Sequence, residues 1–269
     1  MSKKTVGKLI LAVSIFSISV PAYGKAAGKL TIHGDPCSAP LATKLGEAFK
    51  AETGTEVIVS TGSCRSGVVK ASDGEVNIGV STFNFSSHTL PKGVESSVIA
   101  KAPIVMVVNK ANPVNGLSKE QLEGILSGQI TNWKEVGGTD SAIRNVMLPP
   151  CVTETMSYQA ASPGPKVNRI IPQTKGNPVT GTNVLVSENV DAIGMQLYGY
   201  DTPDVKVLTI DGVLPTEETL PGKYGYYEDY NIITKGEPTG SVKEFIDFAN
   251  SPKGRQIVVS MKHVPAKSN

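Results

Sequence analysis

Three cysteines are the residues of this chain best suited to specific chemistry, and they share a local setting. Cys37, Cys64 and Cys151 are the only cysteines in the sequence, and each follows a turn signal at or near the start of a predicted helix. The dipole at a helix N-terminus lowers the pKa of a thiol and favours the thiolate. Thiolates prefer soft, thiophilic partners. The pattern therefore suggests a thiol-based binding site as a hypothesis.

Ordinary roles for the cysteines stay open at this level. A Cys37–Cys64 disulfide would suit an oxidising compartment and would leave Cys151 as an odd thiol. Cysteines also pack as small apolar residues. A soft metal such as copper(I) or zinc(II) is a further alternative. Zinc would need a fourth ligand, and His33 and Asp35 lie near Cys37 in the sequence.

Residues 1–24 have the pattern of a secretory signal peptide. Three lysines precede an apolar run from Leu9 to Val20, and Ala22 and Gly24 place small residues where a signal peptidase cuts. The apolar run is about a dozen residues long, short of the roughly 20 that a membrane-spanning helix needs. We therefore expect cleavage near Gly24, a periplasmic protein and no membrane-embedded segment.

Composition and motifs exclude several classes of function. Removal of the three lysines of the signal peptide changes the net charge from +2 to −1, so no basic surface for nucleic acid is expected. The sequence has no Cys–His pair with an orienting partner, no glycine-rich nucleotide loop and no HExxH motif. We therefore expect a binding protein without a cofactor. A redox or metal-handling enzyme is the weakest alternative.

Short apolar runs alternate with helical patterns, which predicts an α/β protein. Residues 38–53 have the pattern of an amphipathic helix that ends at Gly54, and 102–109 form a continuous apolar run typical of a strand buried on both faces. Ser118 and Gln121 form a capping box at the start of another helix. Other predicted segments are an irregular loop at 162–181, a strand at 184–193 and helices at 241–251 and 252–261.

Three segments carry a resemblance to a known family. Residues 116–138, which surround Trp133, closely resemble a segment of the phosphate-binding proteins that feed ABC transporters, and so do residues 234–248. Asp191-Ala-Ile-Gly is a third shared landmark, and the resemblance extends from about residue 30 to 265. It implies the type II periplasmic-binding fold, with two α/β lobes, crossing strands and a ligand cleft between the lobes.

The resemblance also implies a domain organisation and partners. Residues 26–104 and 201–269 would form lobe 1, and 105–200 would form lobe 2. A monomer of this kind would capture a small-molecule or inorganic ligand. It would pass the ligand to an ABC permease or present it to a membrane sensor kinase.

The family binds phosphate at three strand-to-helix turns, and all three differ here. The first turn carries Asp35 and Pro36, which add a negative charge and remove a backbone N–H. The second keeps Ser63 before a changed sequence, and an aspartate that accepts the phosphate proton in the family is matched by Asn77. The third, at 148–154, lacks the family's arginine fork. The resemblance therefore implies weak phosphate binding at best.

The three turns that converge in the family fold each carry one of the cysteines. The main hypothesis is therefore a site in which Cys37, Cys64 and Cys151 hold a thiophilic solute such as arsenite. The alternative is a conventional phosphate-like oxyanion receptor with the Cys37–Cys64 disulfide. We expect His88 and His263 at the surface. Secondary candidates for the ligand shell are Asp35, Ser63, Arg65, Asn77, Ser81 and Thr153.

Overall fold

The computed structural model describes residues 28–63, 65–82, 90–146, 169–170, 178–220 and 222–267. They form a two-lobed α/β structure. In chain order its elements are β1 (Lys29–Gly34), α1 (Ala39–Thr53), β2 (Glu56–Thr61), α2 (Ser66–Asp73), β3 (Ile78–Ser81), β4 (Val94–Asn109), β5 (Gly116–Leu117), α3 (Lys119–Ser127), a 3-10 turn (Trp133–Val136), β6 (Arg144–Val146), β7 (Arg169–Ile170), α4 (Pro178–Glu188), β8 (Ala192–Leu197), β9 (Val205–Val207), β10 (Thr209–Ile210), β11 (Tyr227–Lys235), α5 (Gly240–Asn250), α6 (Pro252–Ser260) and β12 (Val264–Pro265).

Two long strands carry the sheet from one lobe into the other. The strand order is β2-β1-β3-β11-β4-β8-β6-β7, with β9 and β12 also paired to β4. The first part of β4 pairs with β11 and its last part pairs with β8, so β4 belongs to both lobes. In lobe 1, β1 runs parallel to β2 and β3. The carboxyl ends of these three strands therefore lie at one edge, where the turns leading to α1 and α2 begin.

Lobe 1 has its own hydrophobic core. Helix α1 begins with a proline in its first turn, ends at Gly54 in the left-handed conformation, and buries one apolar face. On that face Phe49 contacts Phe245 and Phe248 of α5 edge to face, with ring centroids 5.4 and 5.5 Å apart. This packing fixes α1, and therefore the turn before it, against the lobe 1 sheet.

Lobe 2 packs around Trp133, which is fully buried. The indole Nε1 donates a 2.9 Å hydrogen bond to the backbone oxygen of Asp191, so the 3-10 turn is tied to the start of β8. The predicted capping box is confirmed, because Ser118 and Gln121 exchange side-chain-to-backbone hydrogen bonds at the start of α3.

The structure corrects the predicted lobe boundary at residue 201. Val205, Leu208 and Tyr224 pack in the lobe 2 core, and β9 pairs with the lobe 2 end of β4. The chain returns to lobe 1 within β11, since Tyr227 packs against the lobe 2 core whereas Tyr230 is buried in the lobe 1 core.

The predicted strand at 184–193 is wrong in its first half. Residues up to Glu188 belong to helix α4, and strand β8 begins only at Ala192. The valines in this segment favour a strand by propensity, but packing decides otherwise. Val186 is buried in the lobe 2 core, while Val184 is half exposed on the outer face of the helix. The helices predicted at 241–251 and 252–261 are confirmed as α5 and α6.

Candidate functional site

The Asp35 carboxylate occupies the N-terminal end of α1. Its Oδ1 accepts hydrogen bonds from the backbone N–H groups of Cys37 (2.8 Å) and Ser38 (2.9 Å), while Pro36 has no N–H to offer. Burial raises the pKa of this carboxyl above its usual value, and the hydrogen bonds from Ser38 and Cys37 offset part of that shift. The backbone donors of the first predicted ligand turn are therefore satisfied by the protein's own side chain.

Cys37 is a free thiol at the junction of the lobes. It lies on a lobe 1 turn, is 5% exposed and packs with the lobe 2 core. The structure therefore does not form the predicted disulfide between Cys37 and Cys64. Burial raises the pKa of the Cys37 thiol well above its usual value, and the negative charges of Asp35 and Glu228 raise it further. The expected thiolate is wrong for Cys37, because loss of solvent outweighs the helix dipole.

Two tyrosine hydroxyls hold the carbonyl groups of the same turn. The Tyr200 hydroxyl donates to the backbone oxygen of Cys37 at 3.2 Å, and the Tyr230 hydroxyl donates to that of Ser38 at 2.6 Å. Tyr200 follows β8 and packs against the cores of both lobes. It therefore forms a direct bridge between lobe 2 and the α1 turn of lobe 1.

The turn before α2 presents Ser63 and Arg65 to solvent. The Ser63 backbone oxygen accepts a hydrogen bond from the Ser66 hydroxyl at 2.6 Å. The buried His33 ring hydrogen-bonds the hydroxyls of Ser60 and Ser66 through its two nitrogens, at 2.7 and 3.0 Å. Burial lowers the pKa of His33, and the positive charge of Lys70 lowers it further. Both ring nitrogens of His33 are thus engaged by hydroxyl groups.

Asn77 does not lie with these turns, contrary to expectation. Its Oδ1 accepts hydrogen bonds from the backbone N–H and the hydroxyl of Thr31, at 2.8 and 2.9 Å. Gly34, at the end of β1, pairs with Val80 on β3. Asn77 precedes Val80 by three residues, which corresponds to about 10 Å along a strand. Ser81, which is buried and follows Val80, lies at the carboxyl end of β3, the end at which the ligand turns lie.

Several predicted site residues lie outside the described residues. They are Cys64, Cys151 and Thr153, and His88, which was predicted at the surface, also lies outside the described residues. The convergence of the three cysteines stays a prediction. Within the described ranges, no group of three or more His, Cys, Asp and Glu side chains could hold a metal ion. In the same ranges no helix combines the length and the apolar character needed to cross a membrane.

His263 is buried, which corrects its predicted surface position. It is 2% exposed, its ring packs edge to face with Tyr200 at 6.3 Å, and neither ring nitrogen forms a hydrogen bond. Burial lowers the pKa of His263 to about 4, and the backbone of Lys262 offsets part of that shift. The imidazole is therefore neutral beside the residue that bridges the lobes.

Sequence reasoning missed a group of polar side chains in lobe 2. Thr182 and Asn183 on α4 and Gln196 on β8 are buried, and we call them the α4–β8 polar cluster. The Asn183 Nδ2 donates to the backbone oxygen of Tyr200 at 2.7 Å. A single glutamine within an otherwise apolar strand was the available signal. Gln196 becomes a neighbour of Thr182 and Asn183 only through the packing of α4 on β8.

Comparison with known proteins assigns the family. A protein-family model described as a PBP superfamily domain matches residues 19–253 of this chain. The phosphate-binding protein PstS of Bacillus subtilis is 31% identical over 251 residues, which cover 90% of this chain and 82% of the relative. The chain belongs to the PBP superfamily. The PstS protein of Borreliella burgdorferi is 25% identical over 202 residues, covering 67% of this chain and 69% of that protein.

Solved structures of PBP-superfamily proteins show the same two-lobed fold. One is described as a candidate phosphate ABC transporter substrate-binding protein from Clostridium perfringens with bound phosphate. It is 28% identical, with a TM-score of 0.75, and the match covers 89% of this chain and 100% of that one. The ABC-type phosphate transport receptor of Vibrio cholerae is 25% identical, with a TM-score of 0.67 over 87% of this chain and 99% of its own.

Proposed function

We propose that this protein is an extracytoplasmic solute-binding protein that captures a small oxyacid, in its ionised or protonated form, between its two lobes. The observation that carries the proposal is the nearly full-length structural similarity to a binding protein solved with bound phosphate. The contact of the α1 turn with the lobe 2 core at Cys37 supports the same view, because it brings the two lobes together beside the first ligand turn.

Export and delivery to a membrane partner complete the proposal. Residues 1–24 are the proposed signal peptide, and the proposed partner is an ABC permease, with a membrane sensor kinase as the alternative. The relatives named as phosphate-binding or phosphate transport proteins support the permease.

Two buried acidic side chains near the first turn oppose the binding of phosphate, which is ionised at neutral pH. Asp35 places a buried carboxylate on the backbone donors of the first turn, and Glu228 adds a second buried acidic side chain close enough to raise the pKa of Cys37. These groups repel an ionised oxyanion in a region of low dielectric constant. Within the proposed class of small oxyacids, these charges favour a solute that carries less negative charge than phosphate.

A thiol site for arsenite is the second candidate. The free thiol of Cys37 at the lobe junction favours it, since a disulfide would have removed that sulfur. Arsenous acid condenses with three thiols, forming three As–S bonds and releasing three molecules of water. In this candidate the remaining sulfurs come from Cys64 and Cys151.

Intact-mass spectra of protein isolated without reductant from a periplasmic extract test export and the thiol site together. We expect a mature N-terminus at or near Lys25 and a Cys37 thiol available to alkylation after unfolding. If Met1 is retained in this fraction, the proposed export is wrong. Spectra recorded with and without added arsenite test the thiol site. One bound arsenic with the loss of all three thiols would support the arsenite site, and the same number of thiols in both spectra would exclude it.

A panel of oxyacids tests the proposed function itself. Phosphate, sulfate, arsenate, arsenous acid and boric acid are each added during thermal unfolding, followed by calorimetry of those that stabilise the protein. A ligand present at about 100 times its Kd should stabilise the folded state by about 2.7 kcal/mol. Absence of stabilisation by every member of the panel would contradict the proposal.

A further inference from the structure

We infer that the solute is bound as an uncharged, hydroxyl-bearing oxyacid, and that the α4–β8 polar cluster and Asp35 accept its hydrogen bonds. This inference rests on the proposed function and narrows its solute class. It is based on the polar atoms that lack partners on both sides of the lobe junction.

The α4–β8 polar cluster has four buried polar atoms without hydrogen-bond partners. They are the Thr182 Oγ1, the Asn183 Oδ1 and both the Oε1 and Nε2 of Gln196. Native proteins contain few such atoms, because leaving a buried polar group unpaired costs folding free energy. A molecule bound among these neighbouring residues would supply the missing partners.

The side chains of Thr182 and Gln196 lie on one face of β8. A Cβ added at Gly194 would lie 2.7 Å from the Thr182 Cγ2, so Thr182 packs directly over Gly194. Residues two apart in a strand point to the same face, which places Gln196 beside Thr182. Gln196 is one such step nearer to the end of β8 at Leu197, where the chain reaches the lobe junction.

A chain of hydrogen bonds connects the cluster to Asp35. The Asn183 Nδ2 donates to the Tyr200 backbone oxygen at 2.7 Å, and the Tyr200 hydroxyl donates to the Cys37 backbone oxygen at 3.2 Å. The Cys37 N–H in turn donates to the Asp35 Oδ1 at 2.8 Å. The cluster and Asp35 are therefore linked through Tyr200, which bridges the lobes.

Most of the unpartnered atoms on the two sides are acceptors. The Asp35 Oδ2 is buried and accepts no hydrogen bond of ordinary geometry, although the backbone N–H of Thr82 lies near enough to lower the pKa of the carboxyl. The Asn183 Oδ1 is an acceptor because its Nδ2 is already used. Gln196 offers one acceptor and one donor, and the Thr182 hydroxyl can act as either.

Hydroxyl groups at the α1 turn are already committed as donors. The hydroxyls of Tyr200, Tyr230 and Ser38 all donate to backbone carbonyl oxygens. In the described part of the chain, the hydrogen bonds to the Asp35 Oδ1 come from the backbone N–H groups of Cys37 and Ser38, not from lysine or arginine. An ionised oxyanion needs donors, whereas the unpartnered atoms of Asp35 and the α4–β8 polar cluster are mostly acceptors. A protonated oxyacid supplies the hydroxyl donors that these acceptors lack.

Gln196→Leu separates a binding role from a structural one. Leucine has a similar volume and removes both unpartnered atoms, so the ligand-free protein should melt at a higher temperature than the wild type. Binding of boric and arsenous acids, which are uncharged at pH 7, should weaken about tenfold or more by calorimetry. A purely structural glutamine would leave their Kd values unchanged.

Asn112→Leu is the matched control. Asn112 is a buried amide of lobe 2 whose Nδ2 donates to the Val190 oxygen and whose Oδ1 accepts from the Val114 N–H. Its replacement should lower the melting temperature and leave the Kd of both acids unchanged. Asp35→Asn provides a second test, because it exchanges an acceptor for a donor. It should weaken the uncharged acids and strengthen phosphate binding, each by about tenfold.

Each outcome either supports or overturns the inference. It is wrong if phosphate binds more tightly than both uncharged acids, or if Gln196→Leu leaves their Kd values unchanged; in either case the proposed function stands. It is also wrong if only arsenous acid binds and Cys37→Ser alone abolishes binding, since a thiol site then explains the result. If no oxyacid of the panel binds the wild type, the proposed function itself fails.

Discussion

His263 is a buried imidazole whose neutral form the folded protein requires. Burial lowers its pKa from 6.5 to about 4, and neither ring nitrogen forms a hydrogen bond. The unfolded chain therefore takes up a proton near pH 6.5, whereas the folded protein does so only near pH 4. Since the unfolded state binds more protons in this window, the free energy of unfolding must fall as the pH falls through it.

We predict that His263→Leu reduces the acid sensitivity of the protein. Between pH 7.5 and pH 5, His263 should cost the wild type about 2 kcal/mol of unfolding free energy, and the variant should not lose this amount. Urea denaturation at the two pH values measures the difference directly. His33, whose pKa burial also lowers, is unchanged in both proteins and so cancels in the comparison. Equal pH dependence in the two proteins would show that His263 titrates normally.

The hydrogen-bonding properties of individual residues could be predicted from the sequence only where they follow from the backbone itself. Pro36 lacks an N–H in any fold, and Asp35 lies beside it, so the loss of anion donors at this turn was readable. The raised pKa of the Cys37 thiol could not be predicted, because its burial depends on lobe 2 residues far away in the sequence. Asn77 was misplaced because sequence alone does not show which end of β3 meets the turns.

The loop after β8 packs tightly on the end of α6. Gly199 has a φ of +97°, and a Cβ at this position would lie 2.3 Å from the Met261 backbone oxygen. This contact holds the Tyr200 segment against the segment that carries His263. Glycine is required for two reasons, the positive φ and the close approach of another backbone.

We predict that Gly199→Ala destabilises the protein by about 2–3 kcal/mol, as measured by urea denaturation. Gly212→Ala is the matched control, because Gly212 has a φ of +75° and no atom within 4 Å of the added Cβ. The control should cost about 1 kcal/mol, from backbone strain alone. Equal losses in the two variants would mean that the contact with Met261 is relaxed at no cost.

Secondary structure was predictable where local signals agree with packing. The capping box of Ser118 and Gln121 and the glycine stop of α1 are local features, and both are present. Helix α4 is different, because its valines favour a strand while its burial against β8 favours a helix. The α4–β8 polar cluster depends on that tertiary packing, so no sequence window could have shown it.

At the scale of the molecule, the two lobes share strands as well as a junction. Strand β4 pairs with strands of both lobes, and β11 carries the chain back to lobe 1. The two-lobed fold was predictable because long segments resemble a family in which the order of elements fixes the topology. The boundary between the lobes was not predictable, because β9 and β10 belong to lobe 2 through their pairings with β4 and β5.

Calorimetric titration of the reduced protein with phosphate at neutral pH tests the central claim most directly. Asp35 has taken the backbone donors of the first turn, and the junction offers acceptors instead of donors. Several charge-assisted hydrogen bonds, each worth about 1.5–3 kcal/mol, are therefore missing for an ionised ligand. The account predicts a phosphate Kd of about 0.1 mM or weaker. Sub-micromolar phosphate binding would contradict it.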